Sequence, residues 1–263
     1  LDYLIIGGGI AGISAAARLS EYGATLVLEA EAHLAYHTSG RSAALYEQNY
    51  GSVSTVALAK AARADFDSML SGVLSPRGFL LVCLQGEEAQ FEYDLEHMHL
   101  SEVTVADAAK LVPILDRSSV IRTASSATAR DIDTDMMLQI FARRIRANGG
   151  TVETNQQVTA IDKTMQGWRV TTGSGQYEAQ KIVNAAGAWG DEIAQMAGMP
   201  KIGLTPFRRS VARLSAPGGQ AVQGWPMLFG PGERWYAKPD AGGLIVSLAE
   251  ETPSPPMDAW AHD

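Results

Sequence analysis

The sequence predicts an α/β protein with a parallel sheet in one domain and an α+β second domain built on an antiparallel sheet. Three observations carry this expectation. The chain opens on a strand, a glycine turn, a helix and a second strand between Leu1 and Ala30. A further strand running into small residues and a helix recurs between Lys181 and Met196. Beyond Pro200 the pattern changes to short strands separated by turns rich in Pro and Gly.

The opening stretch is the most informative. Tyr3-Leu4-Ile5-Ile6 reads as a buried parallel strand. Gly7, Gly9 and Gly12 then form G-x-G-x-x-G, with Ile10 and Ala11 inside it. Gly7 permits a tight turn, Gly9 lets backbone N–H groups approach a pyrophosphate, and Gly12 lets a helix pack closely on the strand. The helix, read over Ile13 to Leu19, offers unpaired N–H donors and a positive dipole end to phosphates. A second strand, Thr25 to Leu28, closes on Glu29 and Ala30. A carboxylate there can accept hydrogen bonds from both hydroxyls of an adenosine ribose. It also repels a 2′-phosphate, which disfavours NADP and leaves NAD and FAD.

Composition bounds the rest. A chain of 263 residues holds one large or two ordinary domains. With 46% hydrophobic and 19% charged residues it has the balance of a globular protein. The net charge of −8 disfavours nucleic acid and anionic membrane surfaces as partners. Cys83 is the only cysteine, so no intrachain disulfide is possible, and a reducing, cytoplasmic setting is expected, with peripheral membrane association left open. No apolar run reaches the ~18 residues of a membrane span, and no signal peptide is read before the first strand.

Along the chain, His37 to Ala44 is rich in small and hydroxyl residues, as suits a backbone passing a ligand before a short helix near Arg41. An ordinary polar loop reads equally well. Ser54 to Leu70 has helical spacing, with Val56, Leu58, Ala59, Ala62, Phe66 and Met69 able to line one face, and Ser71-Gly72 ends it. After a turn at Ser75 to Gly78, Phe79 to Leu84 reads as a strand and Glu87 to His97 as a polar helix. Thr104 can cap a short helix that Pro113 stops. Asp131, Asp133 and Asp135 are spaced closely enough to chelate a hard cation. No mid-loop Gly or closing Glu accompanies them, and an amphipathic helix, Met136 to Ala147, follows, so acids at a helix N-terminus account for them better and no metal is expected.

Thr151 to Glu153 begins a strand-like region, and Gln157 to Asp162, Gly167 to Thr172 and Gln176 to Ala179 read as an antiparallel meander. Lys181 to Ala185 is a buried strand entering Ala186-Gly187-Ala188-Trp189 and a helix, Gly190 to Met196. Arg208 to Leu214, Arg234 to Lys238 and Leu244 to Leu248 read as the strands of the later sheet. Within the first of them alternation turns either Arg208 or Arg209 inward. A buried arginine needs an anionic partner, and a substrate carboxylate and a structural salt bridge serve equally.

The opening fingerprint with Glu29, the loop His37 to Ala44 and the stretch Asn184 to Trp189 together carry a family resemblance. The chain resembles the FAD-dependent D-amino-acid oxidase and dehydrogenase superfamily, which also holds glycine and sarcosine oxidases. Within it, Asp131 to Asp135, Arg208-Arg209-Ser210, Trp225-Pro226-Met227 and Tyr236 to Asp240 look like segments of the bacterial D-arginine dehydrogenase type. The resemblance implies a Rossmann-like FAD-binding domain of the D-amino-acid oxidase type over 1–74 and 132–202. It implies a substrate domain over 75–131 and 203–263, whose sheet roofs the flavin.

FAD is the implied cofactor. Gly7, Gly9, Ile10, Ala11 and Gly12 would hold its pyrophosphate, and Glu29 with Ala30 the adenosine ribose. Thr38, Ser39, Arg41, Ser42, Ala43 and Ala44 would run beside the flavin ring and ribityl chain. Val158 would meet the adenine through its backbone, with Ala186, Gly187 and Trp189 on the second cofactor strand. Arg209, Tyr236 and Tyr50 match active-site residues. The implied activity is oxidative deamination of D-amino acids by hydride transfer to flavin. Its alternatives are oxidation of glycine or sarcosine, dehydrogenation of 2-hydroxy acids, or a nucleotide-binding fragment without activity; the electron acceptor stays open.

Two positions depart from the D-arginine type. Leu45 replaces a histidine, and Phe79 replaces a glutamate that reads a cationic side chain, so a neutral, hydrophobic D-amino acid is expected as substrate. The family also continues beyond the point matched by Asp263, with a further substrate arginine, a last sheet strand and a glycine-rich turn. Without them the FAD site would lack one wall.

Overall fold

The computed structural model describes residues 1–259. The chain forms two compact units. The first comprises Leu1–Ser42, Thr134–Pro206 and the described residues from Pro253 onward; the second comprises Ala43–Asp133 and Phe207–Thr252. Residues 43–74 therefore pack with the second unit, where the sequence boundaries put them in the first. The short strands at Leu45–Tyr46 and Leu74–Pro76 explain this, because both pair with Arg130–Ile132 in one small antiparallel sheet.

The first unit is built on four parallel strands. β1 (Tyr3–Ile6) is central, flanked by β2 (Thr25–Leu28) and by Lys181–Asn184, with Thr151–Glu153 outside β2. Successive side chains of β1 point to opposite faces, and both faces are covered, so the strand is apolar throughout. Leu4 and Ile6 join Leu26, Leu28 and the meander residues Val158, Ile161, Val170 and Ala179 in one core. On the other face α1 (Ile10–Leu19) packs on the strands and on the helix Thr134–Ala147. Its small buried residues Ala16 and Ala17 let the second helix bring in Met137, Phe141 and Ile145.

The meander is antiparallel as expected, with strands Val158–Thr164, Gly167–Thr172 and Gly175–Ala179. α1 starts three residues earlier than the pattern suggested, because Gly9 caps it directly at the glycine turn.

The second unit carries a seven-stranded sheet in the order Ala212–Leu214, Gly243–Ser247, Tyr236–Asp240, Met227–Phe229, Phe79–Leu84, Val120–Ser126, Ser101–Val103. It is antiparallel except where Met227–Phe229 runs parallel to Phe79–Leu84. Phe79, Leu81 and Cys83 face a core with Phe91, Phe229 and Tyr236. Leu80 and Val82 face another with Val112, Trp225 and Leu228.

Three local expectations are corrected. The helix Val53–Phe66 buries none of its residues, and Leu58 is 72% exposed. Its alanine-rich sequence favours a helix, Tyr46 holds it through a hydroxyl donated to the Ala59 carbonyl and a ring contact with Phe66 at 5.1 Å, and Ser52 Oγ accepts from Thr55 N–H at 3.3 Å. Near Arg41 there is only a 3₁₀ turn, Thr38–Arg41. The strand read from Arg208 to Leu214 is two pieces, Phe207–Arg208 and Ala212–Leu214. Between them the Ser210 N–H donates to Glu250 and its carbonyl accepts from Ser247 Oγ, which takes this backbone out of strand pairing.

Ile145, fully buried on the helix that packs against α1, tests this core. Ile145→Ala should lower stability by about 2–5 kcal/mol, read as an earlier urea unfolding midpoint.

Candidate functional site

In the first unit a cradle forms where β1 meets α1. Gly7 has φ +114°, and a Cβ there would lie 2.3 Å from the Ala185 carbonyl oxygen. A Cβ on Gly12 would lie 1.9 Å from the Gly7 carbonyl oxygen, so α1 reaches its depth only because both residues are glycine. Gly9 caps the helix without a side chain. The Ile10 N–H donates to Ser39 Oγ at 3.0 Å. Ala11 is exposed, and the first-turn N–H groups have no acceptor within the helix. Donors of this kind at a positive dipole end suit a pyrophosphate.

Glu29 is 8% exposed at the end of β2. Its oxygens accept from Gly8 N–H at 2.5 Å and Glu31 N–H at 2.8 Å. Those bonds fix the carboxylate, and each oxygen keeps lone-pair capacity for a hydroxyl. Gln156 N–H donates to the Glu29 carbonyl at 2.8 Å, which brings the chain leading into buried Val158 alongside. Ala30, next to Glu29, is exposed. On the far side of β1, the strand Lys181–Asn184 runs through Ala186 into a turn, Gly187–Trp189, and space is open around Gly187. The Trp189 ring lies 4.7 Å from that of His37. Thr38 and Ser42 are exposed, and Arg41 pairs with Asp258 at 2.8 Å. This cradle fits an adenine dinucleotide: glycine where a Cβ would collide, open helix donors, and an anchored carboxylate.

In the second unit Glu233 joins Arg209 and Tyr50, and Tyr236, buried in the core, pairs in the sheet with Phe229, whose ring Tyr50 meets. Arg209 lies outside the strand pieces and its side chain is 33% exposed, so the inward-facing arginine of the sequence reading is not found there. Its guanidinium pairs with Glu233 at 2.5 Å and Glu251 at 3.0 Å. Partial burial disfavours the Arg209 charge, but these carboxylates outweigh it and raise its pKa. The Tyr50 hydroxyl donates to Glu233 as well. Burial first, then the Glu233 bond and charge, push the Tyr50 phenol well above the usual tyrosine range.

Glu233 itself sits at φ +58° in the turn Pro231–Glu233, which is tied down by Gly232 N–H donating to Asp94 at 2.7 Å. The Tyr50 ring meets Phe229 edge-on at 6.0 Å, and Phe229 lies 5.1 Å from Phe79, which is 2% exposed. Tyr236, 6% exposed, belongs to the same apolar cluster, with Leu45 packed against it. The arrangement joins a forked cation and a neutral phenol beside an apolar wall, a combination that can hold a carboxylate and an adjoining hydrocarbon group.

Sequence reasoning missed Glu233 and Glu251, since nothing in their spacing separates them from solvated acids. It also missed the partners of Asp131, whose carboxylate takes Arg77 and Lys238. Asp133 immediately precedes the helix Thr134–Ala147 and Asp135 lies in its first turn. Among the described residues no group of three or more His, Cys, Asp or Glu is placed to hold a metal, and no helix is long and apolar enough to cross a membrane.

Strand, glycine turn, helix and anchored acidic strand end together define a dinucleotide-binding protein of the Rossmann-like α/β class. More narrowly, the chain belongs to the DAO family of FAD-dependent oxidoreductases, whose family model matches residues 2–262. Mouse mitochondrial dimethylglycine dehydrogenase is 23% identical over 95% of this chain and 30% of its own length. The rat enzyme is likewise 23% identical, and the chain covers 31% of it, so the chain spans under a third of these curated relatives. Among solved structures, L-proline dehydrogenase from P. horikoshii superposes with a TM-score of 0.81 at 22% identity, over 96% of this chain and 71% of that one. Glycine oxidase from Bacillus cereus ATCC 14579 gives 0.77 at 22% identity, over the same shares of the two chains. These structures establish the fold, and the family establishes FAD as the cofactor.

Tyr50 should stay protonated beyond the pH at which exposed tyrosines ionise. Glu233→Gln removes the negative charge beside it and should move that ionisation to lower pH. Ultraviolet difference absorbance, with Tyr50→Phe as the blank, reads both; an unchanged titration would dissolve the Tyr50–Glu233 contact.

Proposed function

We propose that this chain carries out FAD-dependent oxidation of the amine of small amino acids, and specifically the oxidative deamination of neutral, hydrophobic D-amino acids, as a variant of the D-arginine dehydrogenase type. The observation that carries the reading is the Arg209 fork, which already binds carboxylates and adjoins a phenol and an apolar wall. In this reading a substrate carboxylate takes the place of Glu233 or Glu251 on Arg209.

FAD, when bound, supplies the acceptor for the two electrons and the hydride lost from Cα. The chain's own residues bind and orient. Gly7, Gly9, Ile10, Ala11 and Gly12 hold the pyrophosphate; Glu29 and Ala30 hold the ribose; Val158, Ala186, Gly187 and Trp189 line the remainder. The segment Thr38, Ser39, Arg41, Ser42, Ala43 and Ala44 follows the flavin. Arg209 and Tyr236 fix the substrate carboxylate and Tyr50 adds a hydroxyl, which restricts the substrate to reactive orientations. The amine reacts in its neutral form, and its proton passes to water, so no side chain is required as a base. Phe79, buried with Phe229 and Tyr236, offers no charge to a cationic side chain, which supports neutral substrates over arginine or lysine.

A second reading is favoured by one observation, the sequence match to dimethylglycine dehydrogenase. In that case the substrate is an N-methylated glycine, and Arg209 again takes the carboxylate.

Absorbance of the purified protein, before and after anaerobic substrate addition, decides between them. Neutral D-amino acids such as D-leucine or D-methionine should bleach the flavin band at least about tenfold faster than D-arginine. Faster bleaching by dimethylglycine or sarcosine would select the second reading, and protein that takes up no FAD would defeat both. Arg209→Ala should raise KM by about tenfold or more, the loss expected for a charge-assisted bond, and an unchanged KM removes Arg209 from the site. Glu29→Ala should weaken FAD binding by a similar factor, measured by flavin fluorescence.

A further inference from the structure

We propose that Lys238 is a positioning residue, a buried cation that holds the Ala43–Ala44 backbone in place for the cofactor segment that precedes it. The inference rests on the reading above, which gives residues 38–44 to FAD.

Lys238 lies mid-strand in Tyr236–Asp240, and its side chain is 9% exposed. Its Nζ donates to the Ala43 carbonyl at 2.5 Å and lies 2.9 Å from Asp131 Oδ1. Asp131 is anchored in turn. Arg77 donates to Asp131 Oδ2 through Nε at 2.7 Å and Nη2 at 2.5 Å, while its Nη1 donates to the Gln223 and Trp225 carbonyls. The next residue, Ala44, has φ +51°, a left-handed conformation that alanine adopts only when its surroundings enforce it. The Ala44 carbonyl accepts from Ile132 N–H at 2.9 Å, and Leu45 pairs with Asp131. Two successive carbonyls, on either side of a left-handed bend, are therefore held by the Asp131 strand and its lysine.

Stability alone does not call for this arrangement. Two cations share one half-buried carboxylate, and a well-packed apolar side chain in place of Lys238 would avoid the desolvation cost. What an apolar side chain could not do is donate to the Ala43 carbonyl. The covalent chain runs from that carbonyl back through Ser42 to the Thr38–Arg41 turn, whose Ser39 accepts from the Ile10 N–H at the start of α1.

The test compares wild-type protein with Lys238→Met and Lys238→Arg by hydrogen exchange, with and without FAD, and by FAD affinity. Lys238→Met should speed exchange in peptides covering 38–47 and 130–133 by about tenfold, with other regions unchanged. It should raise the FAD dissociation constant by about tenfold, and Lys238→Arg should recover most of both. Wild-type exchange in Lys238→Met, or faster exchange with unchanged FAD affinity, overturns the proposal. If Lys238→Met does not fold, Asp131→Asn, which keeps the volume and removes the charge anchor, should show the same paired change; no change there overturns the proposal equally. Wild-type protein that binds no FAD would defeat the functional reading, and with it the positioning role, while exchange in the FAD-free proteins would still judge the clamp on its own.

Discussion

The first unit depends on the contact between α1 and the turn it grows from. The helix can reach its depth on β1 because Gly12 approaches the Gly7 carbonyl at a distance no side chain allows. That approach also sets the helix N-terminus, whose first-turn donors have no acceptor within the helix, at the end of β1. The same close packing places Glu29, one strand over, where Gly8 N–H can bind its carboxylate. Packing and the candidate ligand chemistry are thus one constraint: the glycines serve the helix–strand contact first, and a geometry suited to an anion is its by-product.

The second unit uses charge differently. Arg209 sits in a partly exposed cluster with Glu233, Glu251 and Tyr50, where solvent moderates each interaction and partners can exchange. Arg77, Asp131 and Lys238 form a more enclosed cluster, where loss of one partner would leave a charge without compensation. The exposed cluster is suited to a ligand that comes and goes, and the enclosed one to holding backbone.

Legibility in the sequence followed the range of the interactions. β1, α1, β2 and the meander were readable because each is specified by its own apolar period and its own glycines. Phe79–Leu84 was readable because a strand covered on both faces is apolar at every position. The helix Val53–Phe66 was readable from its spacing, and Val56, Ala59, Ala62 and Phe66 are half-buried along one face, while Leu58 stays exposed. Met227–Phe229 was too short to show a period, and its parallel pairing depends on a strand far away in the chain. Of the candidate site, the glycine turn and Glu29 were visible in local spacing. Tyr50 and Tyr236 were singled out only through resemblance, Arg209 through strand alternation as well, and the acids that meet Arg209 carry no local signature at all.

The sheet pairings have a consequence for how the molecule assembles. β1 pairs with Lys181–Asn184, and Phe79–Leu84 pairs with Met227–Phe229. Each unit therefore waits for residues made long after its first strand, and the segments of the two alternate along the chain. Loop closure over such separations slows folding and leaves apolar strands unpaired in the meantime. During synthesis Tyr3–Ile6 can form its early strand–helix–strand unit with α1 and the parallel β2, but its other edge stays open until Lys181 has emerged. The chain is therefore most prone to aggregate while it is incomplete, and neither unit can be cut out as one continuous piece.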